Sequence, residues 1–140
     1  MKRSATFSIS VILFVIAPVL GQISDQPQEA QLTVYRPKHF HGSTLAPSVY
    51  LDDKQVARLH NGRYFSLKTK PGKHRLSSSA KEPPLEIGLK PGETAYLEMV
   101  VKQGTWRGGG LLIPTPSEDA TSAIKKLRPA DHNDIFAETP

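Results

Sequence analysis

Residues 49–76, VYLDDKQVARLHNGRYFSLKTKPGKHRL, constrain the fold of this chain more than any other stretch. Apolar and aromatic residues come there in short runs, and each run stops at turn chemistry. Asp52-Asp53-Lys54 closes the first run, His60-Asn61-Gly62 the second and Pro71-Gly72 the third. Asn-Gly accepts the positive φ angles of a tight hairpin, and Pro-Gly suits a type II turn. The spacing predicts four consecutive antiparallel strands, a β-meander.

The same grammar extends on both sides. In residues 30–36, Leu32 and Val34 share one face of a strand, with Thr33 and Tyr35 on the other. Residues 38–47 read as a loop holding His39, Phe40, His41 and Gly42. In residues 55–59, Val56 and Leu59 have opposite parity, which predicts a bulge or burial on both faces. Residues 63–69, 73–77, 85–89, 94–102 and 111–113 supply the later strands, about seven to eight in all. Leu67 and Ile87 each lie four residues before a Pro-Gly pair, and Leu76 and Tyr96 each lie five after its proline. This echo predicts two hairpins of one geometry. The expected core is Leu32, Val34, Val49, Leu51, Phe65, Leu67, Leu76, Ile87, Leu97 and Met99. Residues 104–110 (GTWRGGG) read as a loop, because their glycines would cost a strand too much entropy.

The period then changes. Thr115-Pro116-Ser117-Glu118 has the form of a capping box with proline at the first helical position. Ala120, Ala123, Ile124 and Leu127 follow at helical spacing, which predicts a helix over residues 116–127. Acidic residues near its start and Lys125, Lys126 and Arg128 near its end suit the helix dipole. Pro129 should stop it.

The first 21 residues read as a secretory signal rather than as part of the fold. Lys2 and Arg3 precede an apolar run of 14 residues, Phe7 to Leu20. Val19 and Gly21 are small enough to flank a cleavage site, so a mature chain should begin at Gln22. An uncleaved anchor is the alternative, but the run is short for a bilayer and contains Pro18. The reading divides the chain into a signal at 1–21, a disordered lead-in at 22–29, a β-domain at 30–131 and a flexible tail at 132–140. It places the protein outside the cytoplasm, periplasmic or extracellular. The mature chain would have 119 residues (140 − 21) and a net charge of +3 (+5 less Lys2 and Arg3). Its cations are scattered along strands, which argues against a nucleic-acid footprint. The sequence contains no cysteine, so neither disulfides nor thiolate metal sites are available.

Candidate chemistry is sparse. His39 and His41 could contribute to a Zn or Cu site if extended, but no third ligand is evident nearby. His74 could act as a base, although its place after Pro-Gly suits a turn-packing role. Ser77-Ser78-Ser79 lacks a nucleophile-elbow context. Asp52, Asp53 and Glu93 sit at turns, where carboxylates cap their own backbone. Gly108-Gly109-Gly110 lacks the lysine of a phosphate loop. No cofactor is implied. Trp106 beside Arg107 is the candidate contact surface, since both residue types are enriched at binding hot spots. The ring would be either a lid on the domain or an exposed platform.

A resemblance rests on the order of these motifs. Val49-Tyr50-Leu51-Asp52-Asp53-Lys54 followed by Pro71-Gly72-Lys73-His74-Arg75-Leu76 resembles the pattern of PEGA-type bacterial envelope domains. Over residues 30–131 the chain resembles more closely the bacterial exported domain-of-unknown-function family 2846. That pattern has Pro-Gly-Lys-His, then Pro-Gly-Glu-Thr-x-Tyr-Leu, then a helix ending near Lys-Leu-Arg. The resemblance implies a mainly β fold, an antiparallel β-sandwich of prealbumin-like or carbohydrate-binding-module-like type with one C-terminal helix. It implies no reaction. Many members of such a family are lipoproteins, whereas this chain has no cysteine to carry a lipid. Two classes of function follow. One is a non-catalytic envelope module binding protein, peptidoglycan or glycan. The other is a small extracytoplasmic hydrolase or metal-binding protein.

Overall fold

The computed structural model describes residues 27–78, 83–101 and 109–137. Strands β1 (Ala30–Tyr35), β2 (Ser48–Leu51), β3 (Lys54–Arg58), β4 (Arg63–Thr69), β5 (Gly72–Ser77), β6 (Leu85–Leu89), β7 (Thr94–Val100) and β8 (Leu111–Pro114) are followed by helix α1 (Ser117–Ile124) and a short strand β9 (Arg128–Pro129). They form two sheets, one in the order β8-β7-β1-β4-β9 and the other in the order β3-β2-β5-β6. The mainly β sandwich with a C-terminal helix expected from the sequence is therefore present.

The core lies between the sheets. One sheet contributes Leu32, Val34, Phe65, Leu97, Met99 and Leu112, and the other Val49, Val56, Ala57 and Leu76. Seven of the ten expected core residues are buried, while Leu51, Leu67 and Ile87 pack against the cluster only partly buried. Val56 and Ala57 are consecutive and both buried. The β2–β3 register explains it: Val49 faces Ala57 and Tyr50 faces Gln55, so Val56 is the extra residue of a bulge. This is the irregularity that the parity of Val56 and Leu59 predicts.

The meander is not formed. β2 and β3 make a hairpin, but β4 belongs to the opposite sheet and β5 returns to lie beside β2. Asn61-Gly62 and Pro71-Gly72 thus carry the chain between layers instead of closing hairpins, and Pro91-Gly92 does the same between β6 and β7. The echo of the two Pro-Gly pairs reflects two inter-sheet corners. The tight hairpin turn is Asp52-Asp53, where both residues have positive φ (50° and 67°) between the paired Leu51 and Lys54. That is the signature of a two-residue type I′ turn. The sandwich is also not purely antiparallel. β1 runs parallel to β7, and β9 parallel to β4.

β1 is buried on both faces. Leu32 and Val34 face the core, while Thr33 and Tyr35 lie on the outer side at 3% and 1% exposure. α1 packs on the neighbouring β7 and buries Ala120 completely. The buried polar groups of this face are paired: the Thr33 and Ser66 hydroxyls lie 2.8 Å apart, and the Tyr35 hydroxyl donates to Glu98 Oε2 at 3.2 Å. Burial first, with the charge of Glu98 adding to it, raises the Tyr35 pKa.

The helix is shorter than its periodicity predicts. Pro116 is the N-cap and makes no side-chain cap, so the capping box is not realised. The Thr115 hydroxyl donates instead to Ile113 O at 3.2 Å. The chain leaves the helix at Lys125 because Arg128 and Pro129 pair with Arg63 and Tyr64 as β9. Residues 132–137, read from sequence as part of a flexible tail, are tied to the edge strand β3. Ile135 bridges Ala57, and the Phe136 and Ala137 amides donate to Val56 O. The edge strand is thereby covered, which removes an open template for pairing.

Candidate functional site

The strand directions sort the connections into two ends. At one end lie the Asp52-Asp53 turn and the corners at residues 70–72 and 90–92. At the other end β1, β3 and β7 finish and β4, β8 and β9 begin. The long loop at residues 37–47 belongs to this second end, the loop end.

The corner end holds a histidine–carboxylate pair. His74 Nδ1 lies 2.7 Å from Asp52 Oδ2, and its Nε2 lies 2.7 Å from Lys70 O. A carbonyl and a carboxylate both only accept, so both contacts are hydrogen bonds at once only in the imidazolium form, in which both ring nitrogens carry hydrogen. Burial alone would lower the His74 pKa. The bonds to Asp52 and Lys70, with the charge of Asp52, outweigh it and raise the value above the ordinary 6.5. Asp52 also accepts from the Arg75 amide at 2.9 Å, and the Asp52 amide donates to Arg75 O at 2.8 Å. Burial would raise the Asp52 pKa, but the Arg75 amide and His74 together hold it below 3.8. The pair has the look of a catalytic dyad, but in the imidazolium form neither nitrogen has a free lone pair with which to accept a proton. His74 latches the β2–β3 hairpin to β5, in keeping with the turn-packing role read from the sequence. Glu93, also at this end, accepts from the Lys90 amide at 2.7 Å and closes its own turn.

The loop end is built on Arg36. This residue continues the inward series of Leu32 and Val34 and is only 1% exposed. Its guanidinium donates to Leu45 O at 2.6 Å, Leu59 O at 3.2 Å and Gly42 O at 2.6 Å. These three partners are all carbonyls, so the buried cation organises backbone rather than pairing with an acid. Burial pushes its pKa below the ordinary value. From the other side Asn61 grips the loop: its Oδ1 accepts from the His39 amide at 2.9 Å and its Nδ2 donates to His39 O at 2.8 Å. Gly42 takes φ +74°, and a Cβ there would lie 3.4 Å from Val101 Cγ1. The backbone is thus fixed at His39 and at Gly42, and Phe40 and His41 project between the two fixed points. Phe40 is 91% exposed, and its ring meets His41 edge-on at 5.7 Å.

His39 and His41, the weak metal candidates, are both exposed on this loop. Among the described residues no group of three or more potential ligands converges around them. Trp106 and Arg107, the expected contact surface, lie outside the described residues. Ser78 is buried and accepts from the Gly110 amide at 3.1 Å, a packing role. Sequence reasoning passed over Arg36 and Phe40. The parity of Arg36 with Leu32 and Val34 was the available signal for the first. No local pattern marks the exposure of Phe40.

Fold and site define a small two-layer β domain with one latched end and one loop-bearing end. The chain belongs to the family described as "Protein of unknown function (DUF2846)", whose pattern matches residues 26–110. It is also 28% identical over 109 residues to an uncharacterized protein of Haemophilus influenzae, a match covering 76% of this chain and 64% of that relative. The chain thus matches less than two thirds of that relative's length. No solved structure matches the chain. Among the described residues no helix is long and apolar enough to cross a membrane.

Proposed function

We propose that this chain is an exported, non-catalytic module of the cell envelope that acts by binding through its loop end. The observation that carries the reading is Phe40. Solvent-exposed aromatic rings are common as isolated residues, but this one projects from a backbone fixed on both sides by a buried arginine and an asparagine. Pre-organised projection of an aromatic ring suits recognition, because little conformational freedom is left to lose on contact. Engagement of both His74 nitrogens speaks in the same direction, since the one histidine–carboxylate pair among the described residues with a 2.7 Å contact is occupied in holding the fold. The charged start and apolar run of residues 1–21 support export. An envelope protein, peptidoglycan or another glycan is the partner class.

Fractionation and mass spectrometry test the reading. The chain should be recovered outside the cytoplasm with its N-terminus at Gln22 or within a few residues of it. Intact Met1 on cytoplasmic protein would refute export. For binding, the exported form should be retained by isolated envelope material, and Phe40→Ala should reduce retention while leaving the thermal unfolding midpoint unchanged.

A further inference from the structure

The loop end carries an uneven distribution of charge that the linear sequence hides. Lys38 stands on the long loop, Arg58 ends β3, Lys125 and Lys126 follow α1, and Arg128 begins β9. The topology brings all of these to one end, because β9 starts beside Arg63 at the start of β4, and β4 is fed by the corner that follows Arg58. Each of the five is exposed, and none has an ion-pair partner among the described residues. Of the carboxylates near this end, Asp131 is engaged with Arg63 at 3.5 Å, Asp134 with His60 at 3.4 Å and Glu98 with the Tyr35 hydroxyl at 3.2 Å, while Asp119 lies on the helix side near Tyr35. At the corner end Lys68 and Arg75 are paired with Glu29 and Asp53, and Asp52 and Glu93 stand among the other lysines. The cationic end is also where Phe40 projects.

We propose that the loop end docks on an anionic lipid surface, with Phe40 entering the interface and Lys38, Arg58, Lys125, Lys126 and Arg128 facing the head groups. The proposal rests on the reading of this end as a binding surface and names its partner. Its geometry favours a plane. The cations come from four separate elements around one end of a sandwich, so a flat anionic surface meets them together, whereas a linear polyanion would follow one row. A nearly fully exposed phenyl ring gains by leaving water for the boundary of the acyl chains, while exposed cations next to it are attracted to anionic head groups. One ring or a few charges alone bind weakly, and it is their coincidence on one face that makes reversible surface binding effective.

Co-sedimentation with vesicles tests this, using the chain from Gln22 onward, which contains every described strand and the helix. Vesicles of equal parts phosphatidylcholine and phosphatidylglycerol should bind it, and vesicles of phosphatidylcholine alone should not. Binding should fall steeply with added salt, because exposed charges are screened over about 10 Å at 0.1 M ionic strength. Phe40→Ala should weaken binding about tenfold, from the apolar surface it removes. Lys125→Gln and Lys126→Gln should each weaken it about fivefold, the effect of one cation close to an anionic membrane. All three positions are exposed and circular dichroism would verify that the fold is kept. Absence of binding to the anionic vesicles, or binding that none of the three substitutions changes, would overturn the proposal. Tighter binding to a double-stranded DNA fragment or to polyglutamate than to the vesicles would also overturn it and reassign the face to a soluble polyanion. Export is measured separately by fractionation, so failure here leaves the location of the protein unaffected and failure there leaves the lipid result readable.

Discussion

Asp52 and His74 lie 22 residues apart in sequence and meet at 2.7 Å, joining the tip of a type I′ hairpin to the strand that follows an inter-sheet corner. The contact needs both charges. A neutral His74 could satisfy only one of Asp52 and the Lys70 carbonyl with an N–H, and a protonated Asp52 would lose its attraction for the ring.

Stability should therefore depend on pH through this pair. The folded pKa of His74 lies above its ordinary value of 6.5, so its contribution is fully present below pH 6.5 and is lost as pH rises through the raised value. The folded pKa of Asp52 lies below 3.8, so its contribution is present above that pH and is lost as pH falls through the depressed value. The window in which the latch is complete runs from about pH 4 to pH 6.5. The difference in thermal midpoint between the wild-type chain and His74→Gln should be largest there and should shrink on either side. An NMR titration placing His74 at or below 6.5 would remove the basis for this expectation.

Arg36 should be costly to replace. Arg36→Met keeps much of the apolar volume but takes the guanidinium donor from the carbonyls of Leu45 and Leu59, while Gly42 O keeps only the Leu45 amide at 3.0 Å. A loss of about 2 kcal/mol or more is expected, since each enclosed acceptor left unpaired costs about 1–3 kcal/mol. Arg36→Lys should recover only part of it, because an ammonium lacks the planar fork that reaches separate carbonyls. Urea denaturation measures both, and a cost for Arg36→Met below that of Arg36→Lys would contradict the role assigned to the fork.

Asp53 offers a gain. It holds φ 67°, a conformation costly to most side chains, and its contact with Arg75 at 3.5 Å is exposed and contributes little. Asp53→Gly should raise stability by about 0.5–1 kcal/mol, as expected where a substitution suits a left-handed turn position. Asp52→Gly should not, although its φ of 50° is equally positive, because it removes the latch carboxylate. Thermal midpoints of the two variants against the wild-type chain decide it, and a loss on Asp53→Gly would mean that the Arg75 contact outweighs the backbone cost.

The core should respond according to depth. Leu97 is 1% exposed between the sheets, and Leu97→Ala should cost about 2–5 kcal/mol. Leu67 is only partly buried against the same cluster, so Leu67→Ala should cost distinctly less. Denaturation midpoints compared in one buffer would test the order, and equal losses would mean that Leu67 is as enclosed as Leu97.

Much of this protein is determined locally and is legible in the residues alone. Short apolar runs bounded by turn residues, many with period-two alternation, located the eight longer strands. The parity clash of Val56 and Leu59 announced the bulge, and the change to helical spacing announced α1. The role of His74 in a turn followed from its place after Pro71-Gly72. What alternation does not contain is the sheet to which a strand belongs. Phe65 on one sheet and Leu76 on the other both face the same interior, so their sequence patterns are identical whether the strands are neighbours or opposites. Turn residues share this ambiguity, since Asn61-Gly62 can reverse a chain within a sheet or carry it across. Only the packed structure decided that the meander opens into two layers, that β1 lies parallel to β7, and that residues 132–137 return to cover β3. The same holds for function. Arg36, Asn61 and Phe40 become one device only when the end of β1 meets the corner before β4, and the cations of four elements become one face only when the strands are set in order. Such juxtapositions depend on contacts far apart in the chain, and no local pattern encodes them.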